Sequence, residues 1–190
     1  KGVSAAILMS NFQANVRVMA QHSRTLEALV LGLNQKVLET AHGERFITMF
    51  IGLYDAKKRQ LTYINCGHNP PVLKQKNKIE LLDKGCPGLG MLDDIPKPNT
   101  GKITIHPDAV LVCYTDGLVE VENKNQEDFG SENVAKIVQN HNGTDTDKLN
   151  TELILSLNQF KKNQPFVDDI AILSCCFFLE IERSKLLFLR

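Results

Sequence analysis

The chain has 190 residues, 43% of them hydrophobic, and its 22 basic side chains balance 22 acidic ones. That length supports one domain with a sizeable core, and a net charge of zero supplies no basic field for nucleic acid or an anionic membrane, so a protein partner fits better. The five cysteines are odd in number and lack Cys-x-x-Cys spacing, which argues against a disulfide framework or zinc site and for reduced thiols in a cytoplasmic protein.

Apolar residues recur at helical spacing at Ala5, Leu8, Met9, Phe12, Val16 and Met19, and again at Leu26, Leu29, Leu33, Val37 and Thr40. Helices are therefore predicted over Ser4–Ala20 and Thr25–Thr40, with Ser23 or Thr25 as the cap of the second. Ordinary core packing accounts for most of these stripes.

Phe46 to Tyr54 reads as a strand, Asp55-Ala56-Lys57-Lys58 as a hairpin turn and Gln60 to Asn65 as the returning strand. Short strands follow over Val72–Lys74, Lys78–Leu82, Lys102–Ile105 and Ala109–Cys113; consecutive short strands predict antiparallel pairing. The Gly- and Pro-rich stretch Gly85–Gly101 and the polar stretch Glu122–Asp128 read as loops within one domain.

Helical periodicity returns at Val134, Ile137 and Val138 and at Leu149, Leu153, Leu157 and Phe160, before a last strand-like run from Ile170 to Leu179. That run is about half the length a bilayer span needs, and no signal peptide is visible. Helices, strands, helices and a final strand describe an α+β sandwich. Glu180 to Arg190 reads as a tail of unknown role, either an added helix or strand or an untidy end.

Two acidic motifs stand at strand ends. Leu111-Val112-Cys113-Tyr114-Thr115-Asp116-Gly117 delivers Asp116 at the exit of an apolar strand, where Gly117 is expected to let the chain turn away. Asp168-Asp169 immediately precedes Ile170-Ala171-Ile172-Leu173, so Asp116 and Asp168 are expected to meet at neighbouring strand ends. Carboxylates of this kind suit Mg2+ or Mn2+; alone, each motif also reads as a turn or a solvated cap. His68, in Gly67-His68-Asn69-Pro70-Pro71, reads as part of a shaped turn, hydrogen-bonded to backbone, more readily than as a general acid. His22, His42, His106 and His141 have no ligand-like spacing and read as surface or capping residues. Cys113 lacks a phosphate-cradling loop, and Gly85-Cys86-Pro87-Gly88-Leu89-Gly90 lacks the following helix of a nucleotide loop.

Together these blocks are recognisable. Tyr114-Thr115-Asp116-Gly117-Leu118-Val119-Glu120, Asp168-Asp169 and Asn65-Cys66-Gly67-His68-Asn69-Pro70-Pro71 resemble the metal-dependent serine/threonine protein phosphatases (PPM), in their SpoIIE/RsbU-type branch. Lys1-Gly2-Val3-Ser4-Ala5-Ala6, Phe46-Ile47-Thr48-Met49-Phe50, Leu61-Thr62-Tyr63-Ile64-Asn65, Gly85 to Gly90 and Phe129-Gly130 match in the same order. The family's first metal motif reads Asp-x-x-Gly-[Lys/His]-Gly; this sequence begins at its Lys, so the Asp four positions earlier and the strands before it are expected to be missing.

The resemblance implies an α+β fold of two antiparallel β-sheets flanked by helix pairs, over residues 1–179, with two Mn2+ or Mg2+ ions at the cleft between the sheets. It implies hydrolysis of phosphoserine or phosphothreonine by metal-activated water, with no protein nucleophile. Asp116, Asp168 and the backbone carbonyl of Gly2 match metal-ligand positions; Asp169 matches as a ligand through water or as an orienting neighbour. The implied substrate is a phosphorylated anti-sigma factor antagonist of the STAS type. Sensory domains are expected upstream, and the two opening helices are expected to serve as a regulatory switch or dimer surface. The chain alone is expected to be weakly active or inactive. The alternative is a non-catalytic binding module of the same fold.

Overall fold

The computed structural model describes residues 2–41 and 43–178 in full and 185–189 as backbone. Two long helices open the chain, α1 (Val3–His22) and α2 (Leu26–Ala41). Thr25 caps α2: its hydroxyl accepts the Ala28 N–H at 3.1 Å, and its carbonyl accepts the Leu29 N–H. The predicted stripes are the buried faces, Leu8, Phe12 and Val16 on α1 and Leu26, Leu29, Leu33 and Val37 on α2.

The helices lie on a first sheet. Strands β1 (Met49–Asp55) and β2 (Gln60–Cys66) form the predicted hairpin, in antiparallel register from Met49↔Cys66 to Asp55↔Gln60. Asp55 Oδ1 accepts the Lys58 N–H in the turn. Alternation divides the strands between two cores: Met49, Ile51, Ile64 and Cys66 face the helices, whereas Phe50, Tyr54, Leu61 and Tyr63 face the other way. With both faces covered, the strands read as continuous apolar runs.

A second sheet contains β3 (Val72–Gln75), β4 (Lys78–Leu81), β7 (Ala109–Tyr114) and β8 (Ile172–Phe177), in the order β4-β3-β7-β8 and antiparallel throughout. Leu73, Leu111, Cys113 and Phe177 meet the first sheet in the central core, while Val72, Val110, Val112 and Tyr114 face a second helical layer. That layer holds α4 (Gly130–Asn140) and α5 (Thr146–Lys161), with Val134, Val138, Leu149, Leu153 and Leu157 buried, and the single-turn α3 (Asp116–Val119). The result is the expected helix, sheet, sheet, helix sandwich.

Several expectations need correction. The strand predicted from Phe46 starts its ladder at Met49; Phe46 is exposed, and Ile47 makes one isolated bridge with Leu89. The Gly85–Gly101 stretch is more than a loop, since β5 (Gly85–Cys86) pairs parallel with β2; the strand predicted over Lys102–Ile105 forms as β6 (Gly101–Thr104), antiparallel to β2. Parallel pairing is possible there because nearly twenty residues separate the two strands. Leu179, the expected end of the last strand, and His42 lie outside the described residues. Within the supposed tail, β9 (Lys185–Leu189) pairs antiparallel with β1, from Phe50↔Leu189 to Tyr54↔Lys185. Strand β1 thus lies between β2 and β9, with this chain's own residues on both of its edges.

Candidate metal centre

The ladder between β7 and β8 ends at the pair Tyr114↔Ile172, and both chains continue past it towards the acidic residues. Thr115 extends the join: its N–H donates to the Ala171 carbonyl at 3.1 Å, its hydroxyl accepts the Ala171 N–H at 3.0 Å and donates to the Asp169 carbonyl at 3.2 Å. Thr115 is not among the predicted site residues, because its part in the join rests on bonds to a segment more than fifty residues away.

Asp116 is exposed at the start of α3, with Oδ1 accepting the Gly117 N–H at 2.9 Å. Asp168 and Asp169 are exposed on the opposing segment, and Asp168 Oδ1 accepts the Asp169 N–H at 2.6 Å. Gly117 brings the two segments together. A Cβ on Gly117 would lie 2.3 Å from the Asp169 carbonyl oxygen and 3.3 Å from the Asp168 carbonyl carbon, so only a glycine lets the two segments touch. This corrects the expected role: Gly117 does not adopt the left-handed backbone of a turn glycine, and close approach is what demands it.

Asp116, Asp168 and Asp169 therefore share one corner of the second sheet, as the sequence predicts. Gly2 caps α1 with φ 98° and gives its carbonyl to the Ala6 N–H at 3.1 Å; nothing lies within 4 Å of a Cβ built there, so the structure does not pack it against the acids. Among the described residues no three acidic, imidazole or thiol side chains converge closely enough to hold a cation alone. The donors that do gather are oxygens. One or two carboxylates with water and phosphoryl oxygens is how Mg2+ is usually held, and to that extent the corner fits a hard divalent ion.

His68 borders this corner. Gly67 turns with φ 66°, hard against the Gly88 backbone, and the buried Asn65 side chain clamps the turn, accepting the His68 N–H at 2.7 Å and donating to the His68 carbonyl at 2.9 Å. The Asn65 side chain thus supplies the backbone bonds that hold the turn. The ring is 8% exposed, with Nδ1 at 3.2 Å from Thr48 Oγ1 and Nε2 without a hydrogen-bond partner. Burial pushes its pKa below the ordinary value, and the Asp116 charge and Tyr114 backbone oppose that shift without overcoming it.

His141 closes α4 as a cap but is buried rather than superficial, with Nδ1 at 2.7 Å from Glu152 Oε2. Cys113 is buried in the central core, and desolvation pushes its thiol up to about 12, which makes it a poor nucleophile. Among the described residues no helix is long and apolar enough to cross a membrane.

The sandwich recurs in the SiaA-PP2C domain of Pseudomonas aeruginosa, with a TM-score of 0.75 and 20% identity, covering 93% of this chain and 71% of that one. Protein IcfG of Synechocystis sp. is 26% identical over an alignment 162 residues long, with 68% of this chain and 25% of that protein covered. Phosphoserine phosphatase RsbU of Bacillus subtilis is 26% identical over 127 residues, 66% of this chain and 38% of that protein. The chain thus spans well under half the length of these curated relatives. The family model described as Stage II sporulation protein E (SpoIIE) matches residues 1–178, a span that includes both acidic motifs and the Asn65–Pro71 turn. The chain belongs to the SpoIIE family, in the SpoIIE/RsbU-type branch of the PPM (PP2C-type) phosphatases.

Proposed function

We propose that this chain carries the metal-dependent phosphatase centre of a protein that removes phosphate from serine or threonine of a regulatory protein. The observation that carries this reading is the meeting of Asp116 with Asp168 and Asp169 across the Gly117 contact, an all-oxygen corner opening to solvent. Asp116 and Asp168 would hold the cations directly and Asp169 would ligate through water or orient its neighbour; the Gly2 carbonyl, bonded to the Ala6 N–H, would join them only if the start of α1 moved towards the corner. Bound Mn2+ or Mg2+ would neutralise charge on the phosphoryl oxygens and acidify the attacking water.

The remaining work falls to the chain. Thr115 and Gly117 fix the spacing of the two acidic segments, and the gain from such positioning is lost when groups are misplaced by about 1 Å. Burial of His68 disfavours a competing cation beside Asp116. The similarity to a protein named phosphoserine phosphatase RsbU supports a phosphoserine substrate; the STAS-type anti-sigma factor antagonist, an upstream sensory segment and a dimer surface on α1 and α2 are what the family resemblance adds to that reading. The test is dephosphorylation of such a phosphorylated antagonist by the full-length protein, compared with a phosphoserine peptide. Preference for the folded antagonist supports the assignment; equal turnover of both removes the case for that substrate.

The absence of a third converging side chain among the described residues favours the second reading, a non-catalytic binding module. Tight binding of the phosphorylated antagonist without turnover in the presence of Mn2+ would establish it.

A further inference from the structure

The parallel pairing of β2 and β5 puts Cys66 and Cys86 directly opposite one another, on the helix-facing side of the first sheet. Gly85 makes that approach possible. A Cβ there would lie 1.7 Å from the Asn65 carbonyl oxygen, so any other residue would push β5 away from β2. The two sulfurs are 3.8 Å apart, Cys86 donating to Cys66 in the neutral pair. Cys66 is fully buried and Cys86 half-buried, so one thiol is sheltered and its partner can be reached from solvent.

Neighbouring strands run about 4.8 Å apart, inside the Cα separations of roughly 4.4–6.8 Å that disulfides span. Closing the gap to a bond of about 2.05 Å takes rotation about the two Cα–Cβ bonds and a small shift of β5. Two thiolates alone leave a soft cation short of ligands, and no metal cluster forms around them among the described residues. Redox chemistry is the better use of the pair.

We propose that Cys66 and Cys86 form a reversible dithiol–disulfide couple, closed by a hydroperoxide and reopened by a small thiol. Cys86 is the attacking group. Once it loses its proton, the Cys66 S–H donates to it, which holds the Cys86 thiol below its ordinary pKa and the Cys66 thiol far above. The Cys86 thiolate attacks the peroxide O–O bond, giving a sulfenic acid and releasing the other oxygen as hydroxide or alkoxide. The Cys66 sulfur then attacks the sulfenic sulfur; the S–O bond breaks, the Cys66 proton leaves with that oxygen as water, and two thiols have given two electrons to the peroxide. Half-buried Cys86 leaves one sulfur of the bridge open to an attacking thiolate, and exposed disulfides are readily reduced.

The bridge would sit between two anchorages. Asn65, beside Cys66, clamps the His68 turn, and four residues beyond Cys86 the Gly90 N–H donates to Asn34 Oδ1 of α2 at 2.7 Å, with Asn34 Nδ2 returning to the Leu92 carbonyl at 3.1 Å. Oxidation would therefore tie the His68 turn and the seat of α2 into one covalent unit. The inference does not depend on the phosphatase reading.

The test is hydrogen peroxide treatment of the reduced protein, followed by alkylation, digestion with trypsin, which cuts between the two cysteines at Lys74 and Lys84, and mass spectrometry. The expected result is loss of two of the five titratable thiols, one peptide pair joined through Cys66 and Cys86, recovery with dithiothreitol, and an oxidised form melting higher by roughly 5 °C. In Cys66→Ser the sulfenic acid of Cys86 should be trapped by dimedone. If that variant fails to fold, Cys86→Ser serves, and its Cys66 should resist peroxide. A bridge between other cysteines, Cys86 driven to sulfinic acid while Cys66 stays a thiol, or no loss of thiols at peroxide levels that oxidise free cysteine would overturn the proposal.

Discussion

Gly117→Ala and Gly32→Ala form a matched pair that isolates what holds the acidic corner together. In both, the added methyl would sit 2.3 Å from its nearest neighbour, but at Gly117 that neighbour is the Asp169 carbonyl oxygen, and at Gly32 the terminal methyl of Met19. A flexible Met19 can swing aside for about 0.5–1.5 kcal/mol of rotamer cost, offset by roughly 1 kcal/mol of helix propensity gained in α2. Gly32→Ala should stay within about 0.5 kcal/mol of the parent. At Gly117 the obstacle is backbone pinned by Thr115, so the two segments must part by roughly 1 Å to reach van der Waals contact. Overpacking of that kind costs about 2 kcal/mol, a fall in Tm of roughly 6 °C for a chain of this size. Urea titration of the three proteins by far-UV circular dichroism gives the comparison. Equal midpoints for Gly117→Ala and the parent would refute the claim that backbone contact, rather than turn geometry, demands glycine there.

Asn65→Ala removes a side chain 4% exposed that bonds the His68 N–H, the His68 carbonyl and the Leu82 carbonyl; it should cost about 3 kcal/mol in urea unfolding, and a cost under 1 kcal/mol would contradict the clamp. The Thr100 hydroxyl, donating to Glu27, is the main cause holding the Glu27 carboxyl below its ordinary value of 4.5. A depressed carboxylate contributes stability present above 4.5 and lost as pH falls through the folded value, so Thr100→Val should flatten the acid limb of the stability profile and leave its slope near neutrality alone. Deleting residues 180–190 removes β9 and bares the β1 edge; sedimentation should then show association that rises with concentration, and an unchanged monomer would mean that β9 does not guard the edge.

Much of this was legible because periodicity survives burial. The helical stripes of α1 and α2 and the β1–β2 hairpin were plain because one face of each helix, or both faces of each strand, enter a core. Strand β5 was not legible: two residues carry no period, and Gly85 is there for close approach, which local sequence cannot reveal. For β9, the short apolar run Leu186–Leu189 does not by itself separate a helix from a strand. In the site, the strand-end position of Asp116 and Asp168 was readable from the apolar runs beside them. The contributions of Thr115, Gly117 and Asn65 depend on contacts with residues distant in sequence or on side-chain bonds to backbone, and only the folded chain displays those. His141 is the cap its position allows, but its burial was not legible, since it comes with a contact to Glu152 on the following helix.

The most direct measurement is hydrolysis of a phosphoserine peptide by the full-length protein with Mn2+, with chelator, and with Asp116→Asn, alongside Mn2+ titration calorimetry of the same proteins. The account predicts turnover with Mn2+, none with chelator, and at least a hundredfold loss in Asp116→Asn together with weakened Mn2+ binding, in a variant that melts as the parent does. Turnover that persists with chelator, or that Asp116→Asn leaves unchanged, would contradict it.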